Sequence, residues 1–443
     1  MGTRTRGVQR APAWRPRTTR RIFVVMRPRP PILPLLASLA LLAPALRAQR
    51  APSAQTDADA YTRYELLAPG SGKFRITFEV TATTPGATHY FNPIRAGSVA
   101  TDESVVDRAT GRPLAFDVVG ADVARAGGVE QTGSTTSYIR VTLARPVPPD
   151  GGEARLLIRK TYEDTASYFR RGDTLVFSRS LGVRRNAVVI PPGYELVTST
   201  FPSQVLEQAD GRLAVSFWNP APTEAPVLLR AVPVGVPPRA AGRSAAPQRD
   251  SLAARLDERA HQDREIVYLL RQPETHAFDL YHDYTESRPG TSSYLNVVRA
   301  GSTVSNPRAR NLDTGEELAH ETLRGEAITR AKLDVPDVAS RTEVVVFRFP
   351  PVRPGTSVRL RMSETYTDSA RYRLDRDELV WDRGLGRPAN AVVLPAGWML
   401  TNSSIPATVS TMSDGRVRLD FVNPRPDEIA VLVTARRRPP PSP

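Results

Sequence analysis

A tandem duplication constrains this chain more than any other feature of its sequence. Residues 179–196 return as residues 383–400, and the same offset of 204 positions relates residues 95–98 to residues 299–302. A period this long indicates a repeated domain, because solenoid units run to about 20–50 residues. We therefore expect two domains of one architecture that fold independently, with the offset holding without a gap from end to end.

Apolar and polar residues alternate in the first copy with the period of a half-buried strand. Residues 72–81 carry Phe74, Ile76 and Phe78 at alternate positions, so that these side chains would share one face of a sheet. Similar runs occupy residues 138–143, 155–162, 175–177, 187–190, 213–217 and 227–232. Glycine and proline turn signals separate the runs. The pattern predicts an all-β chain, a tandem duplication of two β-sandwich-like domains.

The stretch that is most similar between the copies predicts a buried strand at residues 187–190, followed by a Pro-x-Gly turn that ends at Gly193. Gly182 and its equivalent Gly386 are expected at positions that need a positive φ or a close approach of the backbone.

The segment boundaries follow from the repeat and from shifts in composition. The second copy is followed by a proline-rich end without strand pattern, and a proline- and alanine-rich spacer separates the copies. Asp250 could cap a short helix within that spacer. We predict a signal peptide at 1–48, the first β domain at 60–234, a linker with a possible short helix at 235–264, the second β domain at 265–436 and a disordered tail at 437–443.

The amino-terminal segment has the order of a secretory signal. It contains ten arginines and no acidic residue, and an apolar run of about 15 residues ends at Leu46, just before Ala48. That run is shorter than the roughly 20 residues of a membrane-spanning helix. We expect cleavage after Ala48, export to the periplasm or the outside, and no stable membrane span afterwards. A retained membrane anchor is the alternative.

The charge and cysteine content narrow the range of functions. The formal net charge is +14, and ten of these charges lie in the predicted signal, so the folded body lacks the basic surface of a nucleic-acid-binding protein. The absence of cysteine excludes disulfides and thiolate metal sites. No phosphate loop, dinucleotide-binding motif or calcium loop is present. We therefore expect no nucleic-acid partner, no cofactor and no metal.

Two histidines stand where the first copy has phenylalanine. His282 replaces Phe78 and His320 replaces Phe116. If the two side chains converge, they could bind a metal or act as a general base, with Asp283 and Glu286 near His282. The alternative interpretation is that each histidine packs on a sheet with its hydrogen bonds satisfied.

A set of polar residues is shared by both copies and forms our candidate binding group. One interpretation is that each copy binds the same ligand through these side chains. The other is that the aspartates and asparagines cap turns, the tyrosines are core residues with a wet hydroxyl, and the arginines pair with the aspartates. The candidates are Arg95, Arg299, Tyr162, Tyr366, Asp164, Asp368, Arg179, Arg383, Asn186 and Asn390.

Two functional hypotheses follow. The first is an exported, non-enzymatic protein for binding, adhesion or scaffolding, with a protein or carbohydrate ligand. The second is an exported hydrolase, or the ancillary module of one, with His282, His320 and nearby carboxylates in its site. An enzyme would place several polar groups, including a titratable pair, in one concave pocket.

Overall fold

The computed structural model describes residues 53–130, 137–221, 223–234 and 258–439. The predicted signal peptide, residues 235–257 of the predicted linker and residues 440–443 of the predicted tail lie outside these described residues. The described residues belong to one compact unit. No helix within the described ranges is both long and apolar enough to span a membrane.

In its described residues the first copy, here called the first half, contains fourteen strands and one short helix. They are β1 (Asp57–Leu66), β2 (Lys73–Ala82), β3 (His89–Ile94), β4 (Val99–Asp107), β5 (Phe116–Gly120), α1 (Ala121–Ala126), β6 (Ser137–Thr142), β7 (Ala154–Glu163), β8 (Tyr168–Arg171), β9 (Thr174–Leu181), β10 (Arg185–Val189), β11 (Tyr194–Ser199), β12 (Gln204–Glu207), β13 (Leu213–Trp218) and β14 (Ala225–Pro233).

The second copy, the second half, repeats these elements and adds a single 3₁₀ turn at Pro273–Thr275. Its elements are β15 (Glu265–Leu270), β16 (Ala277–Glu286), β17 (Ser293–Val297), β18 (Thr303–Asn311), β19 (His320–Arg324), α2 (Glu326–Arg330), β20 (Glu343–Arg348), β21 (Val358–Thr367), β22 (Tyr372–Asp375), β23 (Glu378–Leu385), β24 (Ala389–Val393), β25 (Trp398–Ser403), β26 (Thr408–Thr411), β27 (Val417–Val422) and β28 (Ile429–Arg437).

Each half is built from three sheets in the same order, which confirms the all-β tandem duplication. The first half has a seven-stranded sheet β12-β13-β10-β1-β2-β7-β4, a four-stranded sheet β11-β14-β9-β8 and a three-stranded sheet β3-β6-β5. The second half repeats this order strand for strand. One strand pair of each large sheet is parallel, β1 with β10 and β15 with β24. Apolar residues of the large sheet pack against those of the smaller sheets to form the core of each half.

The expectation of a gapless offset is wrong in one region. β20 lies 206 positions after β6, whereas β7 and β21 return to the offset of 204. The pairing shows the shift directly, because Tyr90 pairs with Val141 while its equivalent Tyr294 pairs with Phe347. The second half therefore has two extra residues before β20 and has lost two after it. Both changes fall outside strands, where added length costs little.

The predicted buried strand is confirmed and the glycine expectation is not. Val188 and Val189 of β10 are fully buried, and Gly193 has a φ of 78° in the turn that follows. Gly182 and Gly386 are absent from the glycines with positive φ, and their nearest neighbours are side-chain atoms of glutamates. These two glycines thus need neither a left-handed backbone nor a close backbone approach.

The two halves contact each other through buried charges. Arg359 of β21 forms ion pairs with Asp59 and Glu153 of the first half, and it also contacts the segment that precedes β15, where its Nη1 lies 3.1 Å from Asp263. Tyr61 donates a hydrogen bond of 2.7 Å to Glu258. Part of the predicted linker is therefore packed against both halves. Independent folding of each copy stays a prediction.

Candidate functional site

Each half contains a partly open cavity at the same place, between its large sheet and its smaller sheets. The first-half cavity has a volume of about 760 Å³ and extends to the junction with the second half. The second-half cavity measures about 310 Å³. The walls share equivalent residues, namely Tyr64 and Tyr268, Tyr90 and Tyr294, Asn92 and Asn296, Arg95 and Arg299, Tyr162 and Tyr366, and Arg179 and Arg383.

Lys160 is a buried lysine that lines the first-half cavity. It lies on β7, where Leu156, Ile158 and Tyr162 share its face, and it is 4 % exposed. Its Nζ donates a hydrogen bond of 2.6 Å to the side chain of Asn92 and lies 4.9 Å from the centre of the Tyr162 ring. Within the described ranges it makes no ion pair with a carboxylate. Burial, followed by the charge of nearby Arg179, lowers the pKa of Lys160 to about 7, and the charge of Glu103 opposes this shift by a smaller amount.

The second half has a carboxyl group at the position of Lys160. Glu364 of β21 is 4 % exposed and lines the second-half cavity. Its Oε2 accepts a hydrogen bond of 2.5 Å from Asn296, which also donates to the Tyr366 hydroxyl at 3.2 Å. Its Oε1 is buried without a hydrogen-bond partner among the described residues. Burial is the main cause that raises the pKa of Glu364 to about 7.

His282 of β16 lines the same cavity and is 5 % exposed. The Tyr294 hydroxyl accepts a hydrogen bond of 3.0 Å from Arg387 and lies 3.2 Å from Nδ1 of His282. Burial, with Arg387 and other arginines nearby, lowers the pKa of His282 well below its usual value, so the ring is neutral at pH 7. The Tyr294 hydroxyl can donate to Nδ1, which places the ring proton on Nε2, or accept from Nδ1 as well as from Arg387, which leaves Nε2 as an acceptor. That Nε2 is buried and has no hydrogen-bond partner in the described part of the chain.

The shared arginines pair with the shared aspartates. Nη1 of Arg179 lies 2.7 Å from Asp164, and Nη1 of Arg383 lies 3.6 Å from Asp368. Both aspartates also accept backbone hydrogen bonds in the turn after the preceding strand. Each guanidinium stacks near aromatic rings, with Arg383 5.1 Å from the centre of Phe278. The arginines line the cavities, whereas the aspartates do not.

The remaining predicted binding residues lie at the cavity rim or outside it. Arg95 donates to the backbone carbonyl of Ser180 at 2.9 Å, and Arg299 forms an ion pair with Glu428 at 2.6 Å. Asn186 and Asn390 are buried, and each donates at 2.6 Å to a backbone carbonyl three residues earlier. The asparagines line neither cavity. The ten candidates therefore divide into six cavity residues, Arg95, Arg299, Tyr162, Tyr366, Arg179 and Arg383, and four turn residues, Asp164, Asp368, Asn186 and Asn390.

The two histidines of the hydrolase hypothesis are not brought together in one cavity. His320 is exposed on β19 and packs beside the ring of Phe347 at 6.1 Å. Asp283 forms a bidentate pair with Arg361 at 2.7 Å and lines the first-half cavity instead. Glu286 accepts hydrogen bonds from Tyr284 and Arg288. No group of three or more histidine, aspartate or glutamate side chains in the described ranges could hold a metal ion.

Lys160 and Glu364 are absent from the predicted site residues, although the sequence contains a signal for them. On β7, residues 156, 158, 160 and 162 occupy the inward positions, and residues 360, 362, 364 and 366 do so on β21. A charged residue at an inward position of an otherwise apolar alternation indicates a buried charge. Lys160 and Glu364 have opposite charges at equivalent positions, which indicates that the two cavities differ in the charge of their walls.

Comparisons with known proteins add little to this picture. No protein-family model matches the sequence, and no curated protein matches it significantly. Among solved structures, an M1 zinc metallopeptidase from Deinococcus radiodurans is similar over 42 % of this chain and 43 % of its own length, with 12 % identity and a TM-score of 0.26. An aminopeptidase N family protein from Idiomarina loihiensis is similar over 39 % of this chain and 29 % of its own length, with 9 % identity and a TM-score of 0.24. The chain thus spans less than half the length of either, and TM-scores this low support no conclusion about it.

Proposed function

We propose that this protein is an exported, non-enzymatic binding protein and that its first-half cavity holds the anionic group of a small ligand. The observation that carries the proposal is the buried ammonium of Lys160, which lines a cavity of about 760 Å³ without a carboxylate partner in the described ranges. A ligand carboxylate or phosphate would supply the missing counter-charge.

The energetic argument rests on the cost of burying a charge. A buried charged group without an opposite charge is unfavourable and tends to become neutral, which agrees with the lowered pKa of Lys160. An anion beside Nζ would reverse this effect, because charge-assisted hydrogen bonds are about twice as strong as neutral ones. Arg179 lines the same cavity, although Asp164 already balances its charge.

The walls of the cavity favour a small ligand. Tyr64, Tyr90, Tyr162 and Phe78 contribute aromatic surface, and Asn92 contributes an amide. Toward the junction the cavity is lined by charged side chains of both halves, among them Glu153, Asp283 and Arg359. Volumes of about 300–1,000 Å³ are typical of small-molecule sites. The site proposed for the ligand is therefore a partly open cavity and not an extended protein-binding surface.

The experiment is isothermal titration calorimetry with acetate and with inorganic phosphate as probes. We expect Lys160→Met to weaken the binding of the better probe at least about tenfold, a loss of roughly 1.4 kcal/mol. Glu364→Gln is the matched control, because it changes the equivalent position of the other cavity and should leave this affinity unchanged. Circular dichroism establishes that both variants are folded. Equal affinity of the folded Lys160→Met variant and the wild type, or no binding of either probe to the wild type, would refute the proposal.

Export is tested separately. Amino-terminal sequencing of the protein recovered from the periplasm or the medium should begin at Gln49, directly after the predicted cleavage site. A sequence that begins at Met1, or at Met26 as a second start of translation within the basic segment, would contradict cleavage and favour the retained anchor.

A further inference from the structure

The second-half cavity is lined by side chains with buried polar atoms that make no hydrogen bond within the described residues. These atoms are Oε1 of Glu364, Nε2 of His282 and Nε of Arg383. Nη1 of Arg383 makes no hydrogen bond either, but it lies 3.6 Å from Asp368. The three side chains are 4 %, 5 % and 7 % exposed. Each unsatisfied buried polar group costs about 1–3 kcal/mol, and native proteins contain few of them. Three such side chains around one cavity indicate a ligand that satisfies them together.

The unpartnered atoms define the chemistry of that ligand. Oε1 of Glu364 is an acceptor with a negative charge when the carboxyl is ionised, and it would take a hydrogen bond from an ammonium group. Nε2 of His282 donates when the Tyr294 hydroxyl donates to Nδ1, and a carboxylate beside Nε2 would select that tautomer. The guanidinium of Arg383 offers further donors, and guanidinium groups suit carboxylates. One end of the ligand is therefore a donor and the other an acceptor.

We propose that the second-half cavity binds a small zwitterion of amino-acid size, with its ammonium group at Glu364 and its carboxylate at His282 and Arg383. The cavity of about 310 Å³ has room for such a molecule. Tyr268, Tyr294 and Tyr366 provide the aromatic wall on which its carbon atoms rest. The zwitterion site does not depend on the anionic ligand of the first-half cavity, because other residues form it. Its charged group at the position of Lys160 is the carboxyl of Glu364, which has the opposite charge.

The first half explains why the two sites differ. At the equivalent positions it has Phe78 in place of His282 and Lys160 in place of Glu364, so that it lacks both the ring donor and the carboxyl acceptor. Val183 likewise stands where the second half has Arg387, which holds Tyr294 against His282. The duplicated fold has thus kept Arg179 and Arg383 and changed the residues that face them.

The test uses calorimetry with glycine and L-alanine as zwitterions, and with acetate and methylamine as fragments that carry one charge each. At about pH 8 all four probes carry the intended charges. We expect a zwitterion to bind at least about tenfold more tightly than either fragment. Glu364→Gln should weaken zwitterion binding at least about tenfold, because the neutral amide loses the charge-assisted contact.

Two further variants keep the outcome interpretable. His282→Phe introduces the residue of the first half at this position and should fold, yet it should also weaken zwitterion binding. Lys160→Met alters only the first-half cavity and should leave zwitterion binding unchanged. The proposal is overturned if neither zwitterion binds the wild type, if acetate or methylamine binds as tightly as the zwitterions, or if folded Glu364→Gln and His282→Phe retain full affinity. Loss of acetate or phosphate binding in Lys160→Met bears only on the first-half cavity, so failures of the two proposals are distinguishable.

Discussion

Arg155 of the first half donates two hydrogen bonds to Asp313 of the second half, at 2.7 and 2.8 Å. The side chains are 4 % and 5 % exposed. Arg359 occupies the position equivalent to Arg155, and it reaches in the opposite direction to Asp59 and Glu153 of the first half. Arg155 and Arg359 thus occupy equivalent positions of the two copies, and each forms buried ion pairs with the other half.

Removal of one partner of this pair is expected to destabilise the protein strongly. Asp313→Ala leaves the guanidinium of Arg155 buried without its counter-charge, which costs about 3–5 kcal/mol. The measurement is the free energy of unfolding from urea denaturation. The control is Arg140→Ala, which breaks the bidentate pair with Asp117 at the surface of the first half and should leave the transition unchanged. Equal effects of the two substitutions would contradict a stabilising role of the buried pair.

A charge in the core strand should unfold the half that contains it. Val188 and its equivalent Val392 are fully buried within the cores of the two halves. Val188→Asp or Val392→Asp places a carboxyl there without a partner and should cost at least about 3 kcal/mol. Denaturation followed by circular dichroism measures the loss. Val205→Asp is the control, since Val205 is exposed on the edge strand β12. Native-like stability of the core variants would show that these side chains are not packed as described.

Lys160 should make the stability of the protein rise with pH above neutrality. Its pKa falls from 10.5 to about 7 on folding, so between these values the unfolded chain binds more protons than the folded one and stability increases with pH. Lys160→Met should remove this contribution and stabilise the protein below pH 7, where the penalty is greatest. Urea denaturation across this pH range measures the difference from the wild type. An unchanged slope in the variant would show that Lys160 is charged when folded.

Glu364 should make the stability of the protein fall as the pH rises toward neutrality. Burial raises its pKa from 4.5 to about 7, so between these values the folded protein binds more protons and its stability falls as pH rises. Burial raises the pKa of Glu153 to about 7 as well, and the wild type therefore contains both contributions. Glu364→Gln should remove only one of them and flatten the curve. A variant with the full wild-type slope would assign the whole effect to Glu153 or to other groups.

The affinity of the first-half cavity for an anion should depend on pH in a defined direction. Lys160 attracts an anion only when protonated, so affinity should fall as pH rises through about 7, and a bound anion should move that midpoint upward. Calorimetry with the better of acetate and phosphate, corrected for the ionisation of the probe, measures the profile. In Lys160→Met the residual affinity should lose this step. A step that persists in the variant would point to another titrating group.

The sequence by itself determined the fold class, because the evidence for it is local. Strand periodicity places Phe74 and Ile76 on one face of β2 without knowledge of any other strand. The repeat then implies that the second half has the same fold as the first. The same reasoning located the strand around Val188 and the turn at Gly193. The pairing of Arg179 with Asp164 was one of two interpretations that the sequence allowed, and the structure shows that contact.

Only the tertiary structure decided which residues meet across long separations. The parallel pairing of β1 with β10 and the contact of Arg155 with Asp313 join residues more than a hundred positions apart, and no local spacing encodes such contacts. The same holds for the cavities. Periodicity gives the face on which Lys160 and Glu364 lie, but burial, the neighbouring charges and the partners left unsatisfied depend on how three sheets pack, which is why His282 lies in a cavity with Glu364 and apart from His320.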